Sequence, residues 1–378
     1  MSAKKLFPPR TWVEISRAAL RANIRTFRKL IGPKVKLWSV VKSNAYGHGI
    51  FDFAKIAEKE GVDGFCVDSL VEAVHLRDQN IKNHIFVLGS TLPELFEVAA
   101  VQDITLSLST LEDLKAFYRA KERPAFHLKL DTGMHRRGFV KKDLPQVLKI
   151  LREQKKKFEP NLRGIYTHFA AAKDRAYPGF AEEQYVCFEA MKQRFQSLFP
   201  GMMTHVAATG GTMLGDRYHR DAVRVGMGLY GYHASAELEA QLPQIVLQPV
   251  LSWKTIITEV KEIRAGDYVG YNLTERLRRA TRIAILPVGY WNGFPVALSR
   301  VGEVAIRGRR ARVLGRVSMD IVVVDATGIP CRVGDIVTLI GSDGKEHIDA
   351  LEIASRMPAT HHYEVLTRLN PLMERRVV

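Results

Sequence analysis

Val35-Lys36-Leu37-Trp38-Ser39-Val40-Val41-Lys42, followed by Ser43-Asn44-Ala45-Tyr46-Gly47-His48-Gly49, is the stretch from which the fold can be read. Its first eight residues form a mostly apolar run closed by a lysine, the pattern of a strand buried on both faces. The glycines and histidine after it predict a tight turn. In Phe51–Glu60 apolar residues recur at three- and four-residue steps, the helical period, and Gly64–Asp68 reads as a strand again. Strand, helix and strand in this order imply parallel pairing through a crossover. Outward from here the unit repeats. Further strands are expected at Ile85–Gly89, Ile104–Leu108, Ala125–Asp131, Arg163–His168, Thr204–Ala208 and Val223–Tyr230, with helices at Ser69–Arg77, Thr110–Lys121, Lys142–Glu153 and Glu182–Ser197. About eight such units over about 230 residues match a (β/α)8 TIM-type barrel. A doubly wound open sheet is the alternative, and either fold puts ligand loops at the strand C-termini.

Beyond about residue 243 the texture changes. Pro249–Val260, Arg282–Val288, Gly302–Arg307, Ala311–Val317, Ile321–Asp325 and Asp335–Gly341 are β-rich runs punctuated by Gly and Pro. The expectation is an α/β chain: a (β/α)8 barrel over residues 12–242, then a mainly β domain over 243–378, with residues 1–11 a candidate addition to the latter.

Composition narrows the function. The 378 residues are 46% hydrophobic and 25% charged, a globular balance. The formal charge is +16, from 56 Lys and Arg against 40 Asp and Glu. Its densest clusters, Arg276 to Arg282 and Arg307 to Arg316, lie in strand-like segments without interleaved aromatics, which argues for solvated faces and against nucleic-acid binding. Cys66, Cys187 and Cys331 have neither metal spacing nor an even count, as suits a reducing compartment, and no metal site is expected. MSAKKLFPPR lacks the apolar region of a secretory signal, and no apolar run approaches the roughly 20 residues of a membrane helix. A soluble, cytoplasmic protein is expected.

The chemistry begins at Lys42. Burying an ammonium at a barrel strand end is costly unless something neutralises it. Covalent capture of a carbonyl cofactor does so. A lysine that simply reaches solvent is the other reading, and position alone favours it.

Val40-Val41-Lys42-Ser43-Asn44-Ala45-Tyr46-Gly47-His48-Gly49 resembles the cofactor-lysine motif VVKANAYGHG of the alanine racemase family, pyridoxal-phosphate enzymes of fold type III. The resemblance runs in order from about Thr11 to Val365. His127–Met134 is similar to the family's HLKxDTGM, Tyr166–Ala170 to YTHFA and Val223–Gly231 to VRxGIxLYG. Val269-Gly270-Tyr271, Pro287–Tyr290, Gly315–Asp320 and Tyr363-Glu364-Val365 follow. The family fold is a (β/α)8 barrel plus a β domain, in agreement with the strand count.

The resemblance implies pyridoxal 5'-phosphate, alanine as substrate, D-alanine for peptidoglycan as the product, and a head-to-tail homodimer with shared sites. It implies that Lys42 holds the cofactor and acts as one base, and that Tyr271, contributed across the dimer interface, acts as the other. His168 and Arg224 would support that tyrosine, with Arg224 facing the pyridine nitrogen. Because a guanidinium only donates, it would keep that nitrogen unprotonated and weaken the ring as an electron sink. Phosphate anchoring would fall to Tyr46, Thr209, Tyr363 and backbone donors near Gly226 and Met227. Arg136, Met319 and Tyr290 would meet the substrate, and Lys129 matches a lysine carbamylated in many members.

The chain departs from the family pattern at several points. The usual GYADG is Gly289-Tyr290-Trp291-Asn292-Gly293, the usual NSA is Ala208-Thr209-Gly210, and the usual MGRLG is Met134-His135-Arg136-Arg137-Gly138. These differences bear on substrate range and rate more than on reaction type. A related fold-type-III enzyme with another or broader amino-acid substrate is the alternative; decarboxylases of this fold use a cysteine for which no motif is found here.

Overall fold

The computed structural model describes residues 9–176 and 178–378. Residues 1–8, on which the reading of the N-terminus partly rests, lie outside that set. The chain forms two compact units, one of residues 18–43 and 50–248, the other of residues up to 17, 44–49 and 249–378.

Strand β1 (Thr11–Ile15) belongs to the second unit. The first unit is built on β2 (Lys36–Val40), β3 (Gly64–Val67), β4 (His84–Val87), β5 (Leu106–Leu108), β6 (Phe126–Lys129), β7 (Leu162–Tyr166), β8 (Met203–His205) and β9 (Ala222–Val225). All pair in parallel, in the orders β4-β3-β2-β9 and β5-β6-β7-β8. Two parallel bridges, Phe86 with Thr105 and Ala208 with Arg224, join these halves and close the barrel. That closure removes the open-sheet alternative. Helices cover the outside, and several do so with one apolar stripe; Leu144–Glu153 buries Leu144, Val147, Leu148 and Leu151. Ser69 caps the helix Leu70–Asp78 at the Glu72 amide, and Thr110 and Asp113 form a capping box on Leu111–Arg119. The inside of the barrel is less ordinary. Where Val, Ile and Leu usually fill it, Trp38, Phe86, His127, Tyr166 and His205 pack ring against ring at centroid distances of 4.9 Å (Phe86 with His127, Trp38 with His205) and 4.8 Å (Tyr166 with His205).

The second unit contains β10 (Leu251–Ile256), β11 (Glu259–Ile263), β12 (Tyr268–Val269), β13 (Glu275–Arg276), β14 (Thr281–Leu286), β15 (Glu303–Ile306), β16 (Arg309–Leu314), β17 (Val322–Asp325), β18 (Ile336–Asp343), β19 (Glu346–Ile348) and β20 (Glu374–Val377). Its main sheet runs β11-β14-β17-β16-β15-β18-β10-β1-β20, with β19 pairing on β18.

Three features differ from the sequence expectation. The barrel does not begin at residue 12: Trp12–Ile15 pairs antiparallel with β10 and parallel with β20. Its aromatic and β-branched residues favour a strand, but nothing local reveals partners so distant in sequence. Residues 44–49 also group with the second unit, where Arg375 donates from Nε and Nη2 to the Gly47 carbonyl at 3.2 and 3.0 Å. A Cβ on Gly47, whose φ is +85°, would lie 2.0 Å from the Leu366 carbonyl oxygen, so glycine is required there. Finally, the run Val223–Tyr230 is not one strand; β9 ends at Val225, and Met227–Tyr230 is a helical turn.

Candidate active site

Lys42 follows β2 at the C-terminal mouth of the barrel, with Nζ 3.3 Å from Asp68 Oδ1. Glu72 ties the two loops together by accepting from the Ser43 amide at 2.6 Å and the Asp68 amide at 2.9 Å. Ser43, Asn44, Ala45 and Tyr46 have φ of 54°, 55°, 51° and 49°, a turn of left-handed helix. Such a conformation costs L-residues about 1–2 kcal/mol each. Strain of this kind persists only where the surroundings impose it, and it concentrates at functional sites.

Arg224, in β9, is 2% exposed. Its two terminal nitrogens make all its hydrogen bonds: to the carbonyls of Thr167 at 2.7 Å, His205 at 3.1 Å and Val206 at 3.1 Å, to His168 Nδ1 at 3.4 Å and to His205 Nδ1. The simplest structural role, a strand-end ion pair with Asp221, is not realised, because Asp221 Oδ2 accepts from the Thr204 amide and hydroxyl at 2.7 and 2.8 Å. Arg224 is a buried cation held by neutral acceptors, and burial lowers its pKa. Beside it, burial together with the charges of Arg224, Arg136, Lys129 and Lys42 pushes His168 down to about 3, so its imidazole is neutral.

Lys129, at the end of β6, is 7% exposed, with Nζ 5.8 Å from the centre of the Tyr166 ring. Burial, then Arg136, Arg137 and Arg224, bring its pKa down to about 8. Arg136 is exposed. Arg137 is anchored instead: it donates to Ser109 Oγ at 2.7 Å and to the carbonyls of Leu88 at 2.6 Å and Ser107 at 2.9 Å. Asp131 Oδ1 accepts from the Gly133 and His135 amides, each at 3.0 Å, and thereby shapes the loop that carries Arg136. Thr209 Oγ1 accepts from the amides of Gly226 and Gly228, both at 3.2 Å. Met227 lies between them and is buried.

In the first unit the chain therefore brings together Lys42, Lys129, Arg136, His168, Thr209, Arg224, Gly226 and Met227. The donor set suits a phosphorylated aldehyde. An amine stands at a strand end, a threonine hydroxyl lies among the backbone amides of Gly226 and Gly228, and the buried cationic groups of Arg224 and Lys129 suit an anion.

The remaining expected site residues lie in the second unit. Tyr46 and Tyr363 meet edge to face with ring centres 5.9 Å apart, and burial raises the Tyr363 pKa. The amides of Tyr290 and Trp291 donate to the carbonyls of Ser318 and Met319 respectively, each at 3.0 Å, which ties the turn carrying Tyr290 to the segment carrying Met319. Asn292 Oδ1 accepts from the Gly289 amide at 2.9 Å, so the exchange of Asp for Asn keeps an acceptor that closes this turn. Tyr271 sits apart, in the turn Tyr271–Leu273, and is 67% exposed. Sequence reasoning missed Asp68, Glu72, His127 and His205 as neighbours of the site; His127 and His205 lie in the expected strands, where a histidine reads as core.

Comparison with known proteins agrees with this architecture. The family description "Alanine racemase, N-terminal domain" matches residues 15–234, and "Alanine racemase, C-terminal domain" matches residues 250–377. The alanine racemase of Methylacidiphilum infernorum is 34% identical, with 97% of this chain and 92% of that protein covered. Alanine racemase 1 of Bacillus subtilis is 34% identical, with 99% and 94% covered. Among solved structures, the alanine racemase of Bacillus anthracis with bound L-Ala-P superposes with a TM-score of 0.91 at 32% identity, covering 98% of this chain and 96% of that one. That of Bartonella henselae, with covalently bound pyridoxal phosphate, gives 0.86 at 27% identity, covering 98% and 100%. The chain belongs to the alanine racemase family of pyridoxal-phosphate-dependent racemases.

Proposed function

We propose that the protein interconverts L- and D-alanine with Lys42 and Tyr271 as opposed proton-transfer groups, in a cytoplasmic head-to-tail homodimer that supplies D-alanine for peptidoglycan. The observation that carries this reading is the Lys42 amine at the barrel mouth, together with the buried, carboxylate-free Arg224 behind it. Pyridoxal phosphate, when bound, supplies delocalisation of the charge left at the substrate Cα. Lys42 Nζ would hold the cofactor, and its amine is placed to take or return the Cα proton on one face. Asp68, 3.3 Å away, is placed to steady the ammonium form. Tyr271 Oη serves the opposite face; its exposure in a single chain suits a group that works in a second copy's site. A tyrosine ordinarily titrates near 10, so it needs a supporting network to act near neutral pH, and the neutral His168 with Arg224 is suited to that task.

Arg224 would face the pyridine nitrogen as a donor and keep it unprotonated. Thr209 and the amides around Met227 would hold the phosphate, with Tyr46 and Tyr363 as further donors. Arg136 would bind the substrate carboxylate with the Met319 backbone, and a carbamate on Lys129 would steady Arg136. Tyr290 would line the substrate approach. Trp291, 57% exposed beside Tyr290, favours a second reading in which the same chemistry accepts a different or broader set of small amino acids.

The test is exchange of the α-proton in D2O and interconversion of enantiomers across a panel of amino acids. Alanine should be turned over fastest by a yellow protein whose colour is lost on borohydride treatment and in Lys42→Ala. Absence of α-proton exchange with every small amino acid would refute the racemase reading.

A further inference from the structure

The polar rings inside the barrel have an internal logic. His127 and His205 are 1% and 0% exposed. Arg224 donates through Nη1 to His205 Nδ1, and His205 Nε2 lies 2.7 Å from His127 Nδ1. A guanidinium carries donors only and stays protonated. His205 Nδ1 is therefore bare, and its proton sits on Nε2. That N–H donates to His127, whose Nδ1 is bare in turn, which leaves the His127 proton on Nε2. The orientation of one arginine thus fixes the tautomers of two histidines. Neither ring has room for a second proton at Nδ1, since each Nδ1 already faces a donor. Burial, with the charge of Arg224 among the contributors, holds both histidines well below their usual pKa.

Packing fixes the rings as well as the protons. Tyr166 stacks on His205 with an interplanar angle of 8° and a centroid distance of 4.8 Å. Gly164 leaves the space His127 occupies; a Cβ there would lie 3.0 Å from the imidazole. Tyr166 is itself pinned by a 2.6 Å hydrogen bond between its hydroxyl and Ser107 Oγ.

We propose that His205 and His127 are positioning residues for Arg224, a relay of two neutral imidazoles that supplies an acceptor without supplying negative charge. A carboxylate in place of His205 would orient the guanidinium equally well but would offset its charge. The imidazole pair orients it and leaves the charge whole, directed at the site. The relay follows from the hydrogen bonds alone; its consequence for turnover rests on the role of Arg224 given above.

The test uses the holoenzyme labelled with 15N-histidine. Two of its imidazoles should show a pyridine-type signal at Nδ1 and a pyrrole-type signal at Nε2, unchanged from pH 6 to 9, assigned through His205→Asn and His127→Asn. In Arg224→Met the His205 ring should lose that tautomer preference. His205→Leu should lower kcat by about ten- to a hundredfold, the worth of one hydrogen bond to a charged group, with KM for alanine little changed; His205→Asn, which retains an acceptor, should recover most of it. An Nδ1–H on either ring, a ring that titrates between pH 6 and 8, or equal rates for native, Leu and Asn proteins would overturn the relay. If these signatures hold while no amino acid is racemised, the relay stands and the functional reading falls. If racemisation holds and the signatures fail, the relay falls.

Discussion

Lys129 gives the sharpest prediction. It is buried beside three arginines, and its pKa falls from 10.5 to about 8. Carbon dioxide adds only to an uncharged amine. At pH 8 about half of Lys129 is uncharged, whereas an ordinary lysine is only about 0.3% uncharged. The site therefore presents reactive amine at roughly a hundredfold advantage or more, and the anion formed would face Arg136, Arg137 and Arg224 in place of a like charge. Equilibration with 13C-bicarbonate at pH 8 should give one carbamate resonance, absent in Lys129→Met, and a native mass increased by one carbon dioxide that is lost on acidification. Without bicarbonate the stability should also carry a signature. A lysine whose folded pKa is depressed destabilises the fold while charged, so stability should rise as pH climbs from about 8 toward 10.5. That rise should be missing in Lys129→Met. No carbamate at pH 8, or a resonance that persists in Lys129→Met, would refute the reasoning.

Three further outcomes are expected. Tyr271→Phe should keep the yellow cofactor band but lower racemisation by about 10²–10⁴-fold, the usual worth of a proton-transfer group; exchange of one alanine enantiomer in D2O should survive through Lys42, and loss of exchange for both would contradict separate roles. Arg137→Leu strands the Leu88 and Ser107 carbonyls and should cost about 2–4 kcal/mol of stability by urea unfolding; a change below about 0.5 kcal/mol would make Arg137 an ordinary surface charge. Arg310 binds Glu346 at 2.8 Å and Glu352 at 2.5 Å, with Glu303 at 3.6 Å, so Arg310→Met leaves three carboxylates together and should cost about 1–3 kcal/mol near pH 7. Burial pushes Glu352 upward, but Arg310 and Arg356 outweigh it and hold its pKa low, so its share of stability is lost as pH falls through that lowered value. The native and Arg310→Met proteins should converge in acid.

The barrel was legible because strands buried on both faces leave short apolar runs such as Gly64–Val67, spaced by amphipathic helices such as Leu144–Glu153. The site was legible where chemistry and a local motif coincide, as at Lys42. What escaped depends on distant partners. The left-handed turn from Ser43 to Tyr46 carries no signal, since Ser, Ala and Tyr do not mark that conformation as glycine does. The departure Arg137 reads as an added charge near Lys129, yet its acceptors sit at the ends of two other strands. His127 and His205 are meaningful only once the closed barrel brings the ends of β6 and β8 to Arg224 in β9. His135, by contrast, stays local: its side chain is 75% exposed and lies 3.8 Å from Asp131.

The placement of β1 has a consequence for biosynthesis. Trp12 pairs with Glu374 and Lys254, so this strand must wait for partners translated far later. At roughly 5–20 residues per second, that wait is on the order of tens of seconds. Throughout it, Thr11–Ile15 is an apolar, unpaired edge of the kind that recruits foreign strands. The barrel, whose strands follow one another along the chain, can close early. The nascent protein thus carries a loose strand ahead of an otherwise foldable domain, a natural client for chaperone capture until the sheet receives its final strand.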